Sequence, residues 1–404
     1  MVESKSRREI LRTIGLVLVF IGMQFGTAIR NVVPALEIVN IIMAASIVLL
    51  IDYRGVKELK INVKLFAILC FQIWLLILAF FSKNATNQLI VFHLYLIAFI
   101  ITLNSNTRYC KFESFGRVIF WISGFISLVI VYQATQGFKG LQLSYEGTSK
   151  LWLSQGGDPI TLARALGINI IACLFYKKKN RIEIIATGIF ALADIIGLFS
   201  FRNRSVLLCS FVIFVIWYFK YYTKSISVNK ILISAISVMV VVIALYKIPY
   251  FSIKIKSTVD AMLSGIGTLL NLNVNDVDSS AQTRVSILEN LRSTFNHHFI
   301  RNLFLGLGYN FTYVDRPVIQ MFYDNGIFAF IAYAYFNLWV PIKYIFKTIF
   351  CRVNYNDAWL IVVFISLQNV FDQFLTGLPY FYFLWTPAIF MVFSITNSKK
   401  QLNG

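Results

Sequence analysis

The chain has 404 residues, of which 58% are hydrophobic and only 14% charged, with a formal net charge of +19 and a mean hydropathy of +0.71. So much apolar surface has nowhere to hide in a water-soluble fold of two or three domains; a lipid bilayer supplies the missing solvent. The excess of Lys and Arg does not call for a nucleic-acid partner, because cytoplasmic loops of membrane proteins accumulate basic residues.

A spanning helix needs roughly 20 apolar residues, and that rule places about twelve spans. They fall near 11–28, 32–52, 65–81, 88–103, 118–135, 159–176, 182–199, 205–219, 231–247, 319–341, 358–375 and 380–396. The expected fold class is therefore all-α, a polytopic membrane protein. Lys5, Arg7 and Arg8 precede the first run, which is long for the apolar core of a signal peptide and reads as the first membrane helix. Trp121, Trp152, Trp217, Tyr221 and Tyr222 sit at span ends, where interfacial anchors belong.

Orientation follows from the basic residues. Arg54, Lys57, Lys60 and Lys64 share one expected inner loop, and Lys177, Lys178, Lys179 and Arg181 share another. The short outer loops hold only Arg30, Lys83, Lys139 and Lys150, plus the pair Arg202 and Arg204. Both termini are expected in the cytoplasm. The division expected is residues 1–247 as helices one to nine, 248–318 as a large outer loop or cap, and 319–404 as the last three helices and tail.

The large loop carries two helical patterns. The first, near 252–270, has an amphipathic face including Ile255, Val259, Met262 and Ile266. The second starts at Ser279 with Gln282 three residues on, a capping-box pattern, and stops around Gly306 and Gly308. None of the five cysteines falls in this loop, and no His, Cys and carboxylate cluster has metal-ligand spacing.

Charges within spans are costly, so they mark candidate sites. Glu37, Arg164, Asp194, Asp324 and Asp372 are the candidates inside helices. Arg164, Arg202 and Arg204 all fall toward the outer face, against the inward bias of positive charge. Guanidinium forks there suit a lipid-linked phosphate or pyrophosphate; the competing readings are snorkelling to lipid headgroups for the pair, and an ion pair with Asp158 for Arg164. Asp194 lies ~12 Å along the helix from Arg202, too far for a direct pair, and calls for another polar neighbour. Glu37 has Asn40 one turn away, and Asp372 sits beside Gln373 and Gln368. Arg284, in the first turn of the second loop helix, opposes the helix dipole unless an anion binds nearby. Asp315, Arg316 and Asp324 mark the chain's return to the membrane, and the adjacent His297 and His298 read as a solvated surface pair.

Taken in order, these segments resemble the O-antigen polymerase and ligase superfamily of bacterial envelope glycosyltransferases. The resemblance covers about 190 to 340. It rests on a basic turn (FSFRNRSVLL), a loop helix with Arg (AQTRVSILENL), a Gly-rich stop (NLFLGLGYN) and the returning span (PVIQMFYDNGIFAFIAYAYF). The stretch FTYVDRPVIQMF lacks the His that ligases of this superfamily carry, which favours the polymerase. The resemblance implies a metal-independent, cofactor-free transfer at the periplasmic face of the inner membrane. The donor would be a glycan on undecaprenyl pyrophosphate, and the acceptor a sugar hydroxyl of another lipid-linked repeat. Arg202, Arg204, Arg284, Arg164 and Arg316 would hold the pyrophosphate, and Asp324, with Asp315 second, would act as general base. A chain-length regulator would be a partner. An O-antigen ligase and a flippase or transporter of lipid-linked oligosaccharide remain alternatives.

Overall fold

The computed structural model describes residues 2–32, 38–51, 63–106, 112–134, 159–176, 180–201, 204–222, 247, 252, 256, 260, 279–311, 313–314, 316–350, 358–375 and 377–389. Among these residues there is no strand. Helices α1 (Val2–Val32), α2 (Ile38–Leu50), α3 (Val63–Phe81), α4 (Asn87–Asn106), α5 (Phe112–Ala134), α6 (Pro159–Phe175), α7 (Arg181–Phe201) and α8 (Arg204–Tyr222) track the expected apolar runs. Next come α9 (Ser279–Asn296), α10 (Phe299–Leu305) and α11 (Pro317–Ala334). A π-helical turn (Tyr335–Trp339) leads into α12 (Val340–Phe350), and α13 (Ala358–Leu375) precedes a helical segment at 382–389. Among the described residues, three stretches are long and apolar enough to cross a membrane: Ile10–Arg30, Val63–Phe81 and Pro317–Lys347. Shorter apolar helices occupy several of the other expected spans, among them Asn87–Leu103 and Ile361–Phe374. The expected ninth span, 231–247, lies outside the described residues except Lys247. The first loop helix does too, except Ser252, Lys256 and Asp260, which are helical.

The chain forms two compact units, residues 1–119 with 284–404, and residues 120–283. In the first, a glycine stripe on α1 sets how closely α2 approaches. A Cβ at Gly15 would lie 2.9 Å from Leu50, one at Gly22 2.3 Å from Met43, and one at Gly26 3.0 Å from Val39. Those pairs run in opposite directions along the two helices, so α1 and α2 form an antiparallel hairpin with small residues at the seam. On α3, Leu65, Ile68, Gln72, Leu75 and Ala79 are buried at alternating spacings of three and four, while Phe66, Ile73, Ile77 and Phe80 stand exposed on the opposite face. An outward apolar stripe of that kind suits lipid. Trp385 is fully buried, with Phe71 at 6.0 Å and Tyr333 at 5.5 Å between ring centroids, tying the segment 382–389 to α3 and α11.

In the second unit, α5 packs on α7 through Gly124, where a Cβ would meet the Phe190 ring at 2.2 Å, and Gly197 receives Leu166 and Val131. A buried polar chain crosses three helices: Ser123 Oγ donates to Asn169 Oδ1 at 2.8 Å, and Asn169 Nδ2 donates to Asp194 Oδ2 at 2.7 Å. Asn169 is the polar neighbour that Asp194 required. Helix α7 begins cleanly because Asn180 Oδ1 accepts the Glu183 N–H at 2.9 Å, satisfying one orphan donor of the first turn.

Three details depart from the sequence expectations. The span expected at 319–341 is not one regular helix; it is interrupted at Gly326 and again at the π-helical turn. His297 and His298 sit in the turn between α9 and α10 rather than on a helix, both exposed. Because α9 starts at Ser279, Arg284 lies in its second turn, where the dipole penalty has largely faded.

Candidate functional site

The interruption of α11 positions a buried polar cluster in the first unit. Gly326 has φ 78° and ψ −174°, a conformation essentially reserved for glycine. A break inside an apolar helix leaves carbonyls without helical partners, which is tolerable only where protein supplies donors. Here the Gly-rich stop does so. Leu307 N–H donates to Tyr323 O at 2.7 Å and Gly308 N–H to Asp324 O at 3.0 Å. The approach needs glycine on both sides. A Cβ at Gly306 (φ 73°) would lie 2.2 Å from Asp324 O, and one at Gly326 2.4 Å from Phe304 O. The two glycines interlock the end of α10 with the break in α11.

Asp324, the residue just before Asn325 and the break, is 1% exposed. Its Oδ1 accepts the Phe311 N–H at 3.1 Å; its Oδ2 accepts Gln320 Nε2 at 3.2 Å and the Tyr380 hydroxyl at 3.1 Å. Gln320 also accepts the Val314 N–H at 3.3 Å, so one amide ties the incoming loop to the carboxylate. Asn325 Nδ2 donates to the Tyr380 oxygen at 3.1 Å.

Tyr380 extends the cluster to α3 and α4. Its ring lies 4.5 Å from that of Tyr309, whose hydroxyl is 2.7 Å from His93 Nε2. His93 Nδ1 is 2.9 Å from Gln72 Oε1. A carbonyl oxygen only accepts, so Nδ1 carries the proton, and in the neutral ring Nε2 accepts from Tyr309. Ser82 Oγ donates to the Tyr309 carbonyl at 3.1 Å, fixing the backbone of the same loop. Burial first, and the charge of Asp324 second, hold the Tyr309 phenol above its ordinary range, so it keeps its proton at neutral pH.

Of the residues singled out from sequence, Asp324 is at the centre of this cluster. Arg316 is half-buried and precedes α11, where its carbonyl accepts the Gln320 N–H at 2.8 Å. Arg164 is 1% exposed within α6, in the other unit. Asp315, Arg202 and the side chains of Arg204 and Arg284 lie outside the described residues, as does Glu37. Asp372 is buried on α13 and accepts Gln368 Nε2 at 2.8 Å. His93, Gln72, Tyr309 and Tyr380 escaped the sequence reading. Only His93 offered a signal, as a lone imidazole in an apolar run. Among the described residues no three His, Cys, Asp or Glu side chains gather as a metal site. The chain matches no protein-family model and no curated protein sequence.

Proposed function

We propose that the chain is a multi-pass membrane glycosyltransferase that polymerises lipid-linked oligosaccharide. In this reading about twelve helices span the bacterial inner membrane, with both termini in the cytoplasm and the loop 248–318 in the periplasm. The observation that carries it is the Asp324 carboxylate. It is fixed by the Phe311 N–H, Gln320 and Tyr380 at the point where the Gly-rich stop clips onto a broken apolar helix.

Gln320, Tyr380 and the backbone N–H groups of Phe311 and Asn310 already occupy the carboxylate, so an acceptor hydroxyl takes the place of the two loop N–H groups. An acceptor sugar hydroxyl placed there gives its proton to Asp324. Its oxygen bonds to the anomeric carbon of the donor glycan, and the bond from that carbon to the pyrophosphate oxygen breaks. Undecaprenyl pyrophosphate departs with the electron pair. The leaving charge needs preorganised cations, a task assigned to Arg284 and Arg316, which share the unit of Asp324. Tyr380 and Asn325 hold the base in place, and the segment bearing Phe311 lifts to admit the acceptor.

The test uses the purified full chain in nanodiscs with the polyprenyl-pyrophosphate oligosaccharide of the producing cell. The wild type should generate a ladder of extended glycans. Asp324→Asn should slow extension by about 10²–10⁴-fold, the usual worth of a general base, in protein that still unfolds cooperatively. Extension by Asp324→Asn at the wild-type rate would sink the assignment. The break at Gly326 also favours a second reading, a flippase or transporter, since discontinuous helices build substrate sites in transporters. Translocation of labelled lipid-linked oligosaccharide with no ladder would select it.

A further inference from the structure

Four large apolar side chains of the seven-residue helix α10 stand exposed: Phe299, Ile300, Phe304 and Leu305, with Ile300 at 74% and Leu305 at 67%. The inward face of the helix serves as its anchor. Asn302 is buried, and its Nδ2 donates to the Phe295 carbonyl at 2.8 Å, closing α10 onto the end of α9. Helix α10 is thus held in place while presenting a surface that soluble proteins rarely leave open to water.

A second apolar stripe runs along the chain beyond the break in α11. Phe328, Ile331, Tyr335 and Trp339 are exposed at spacings of three and four, the period of one helix face. All four lie within Pro317–Lys347, a stretch apolar enough to cross a membrane. The two surfaces are continuous, because the Phe304 and Phe328 rings stack with centroids 5.9 Å apart. Position along the stripe sets the depth. From Ile327 to Lys347 the chain is about 31 Å long as a helix, matching a hydrocarbon core about 30 Å thick. Phe328 then stands at one edge of that core, and the exposed Lys343 and Lys347 toward the other. Basic groups gather at the Phe328 edge. Between 279 and 305 the sequence has three arginines, two histidines and one acidic residue, Glu289. Arg301 on α10, and His297 and His298 just before it, are exposed.

We propose that α10 lies in the bilayer surface, its apolar side chains among lipid acyl chains and Arg301 at the headgroups, as in interfacial helices. This withdraws 299–305 from the aqueous part of the large loop. Gly306, at the end of α10, packs directly on the Asp324 carbonyl. The seating therefore holds the Asp324 carboxylate near headgroup depth, where a lipid-borne substrate presents its polar end. The inference rests on the membrane reading of Pro317–Lys347 and not on the sugar chemistry.

Photocrosslinking of the full chain in vesicles of phosphatidylcholine and phosphatidylglycerol tests this. A benzophenone amino acid replaces Ile300, Phe304 or Ile331, one at a time; all three are exposed, so a bulky ring fits without repacking. Irradiation is followed by mass analysis of the labelled peptide. Ile331, on the spanning stripe, should give lipid adducts, and both α10 positions should give them at a comparable yield; an adduct at either bears out the seating. Lipid adducts at Ile331 but at neither α10 position, whether or not those two crosslink to other parts of the chain, overturn the seating and leave the spanning helix intact. No lipid adduct at any of the three fails the membrane reading itself, and this proposal with it.

Discussion

Gly326→Ala is the substitution whose cost the structure defines best. At φ 78° and ψ −174°, an alanine would carry a backbone penalty of about 1–3 kcal/mol. Its Cβ would also meet Phe304 O at 2.4 Å and Phe304 C at 2.6 Å, both backbone atoms of α10 that no rotamer change can move. Relief requires α10 and the Gly-rich stop to withdraw. That breaks the bonds from Leu307 to Tyr323 and from Gly308 to Asp324, at about 0.5–1.5 kcal/mol each. The total comes to about 2–6 kcal/mol, concentrated in one clip rather than spread over the bundle. Reversible unfolding in mixed micelles measures the loss, and limited proteolysis between α10 and α11 shows where it falls. Gly306→Ala presses on Asp324 O from the other side. The double variant should therefore cost clearly less than the sum of the two, since the same clip opens only once. A wild-type unfolding curve for Gly326→Ala, or strict additivity with Gly306→Ala, refutes the interlock.

His93→Phe should destabilise by about 2–6 kcal/mol, because it strands Gln72 Oε1 and the Tyr309 hydroxyl in a buried site at about 1–3 kcal/mol apiece; denaturant titration decides it. Arg284→Ala is expected to abolish glycan extension in the nanodisc assay while leaving expression intact. Lysine at that position should rescue only partly, since the planar fork that grips a pyrophosphate is lost. Normal product length in the alanine variant removes that arginine from the scheme.

The helices were legible in the sequence because apolar length alone locates them, as α3 and the stretch from Pro317 to Lys347 show. Local punctuation was legible too: Gly306 and Gly308 were expected as a stop, and they end α10. What they pair with was not legible. The partner of Gly306 is the backbone of Asp324, and the requirement for glycine is steric, across two elements. His93 illustrates the same limit. Its partners are 21 and 216 residues away, so an isolated imidazole in an apolar run carried no sign of its role. Asp324 emerged because a carboxylate in a span is conspicuous by its cost, although its ligands Phe311, Gln320 and Tyr380 were not foreseen.

The separation of these partners along the chain bears on how the protein is made. The α1–α2 hairpin uses only the first 50 residues and can lock together while synthesis continues. Gln72 and His93 can satisfy each other early, but the imidazole's second nitrogen must wait for Tyr309, and Gln24 waits for the carbonyl of Phe383, 359 residues downstream. At a ribosomal pace of about 5–20 residues per second, that interval lasts roughly 20–70 s. On the membrane reading, a nascent chain so delayed needs an insertase or a neighbouring helix to shelter its amides until the last segment arrives.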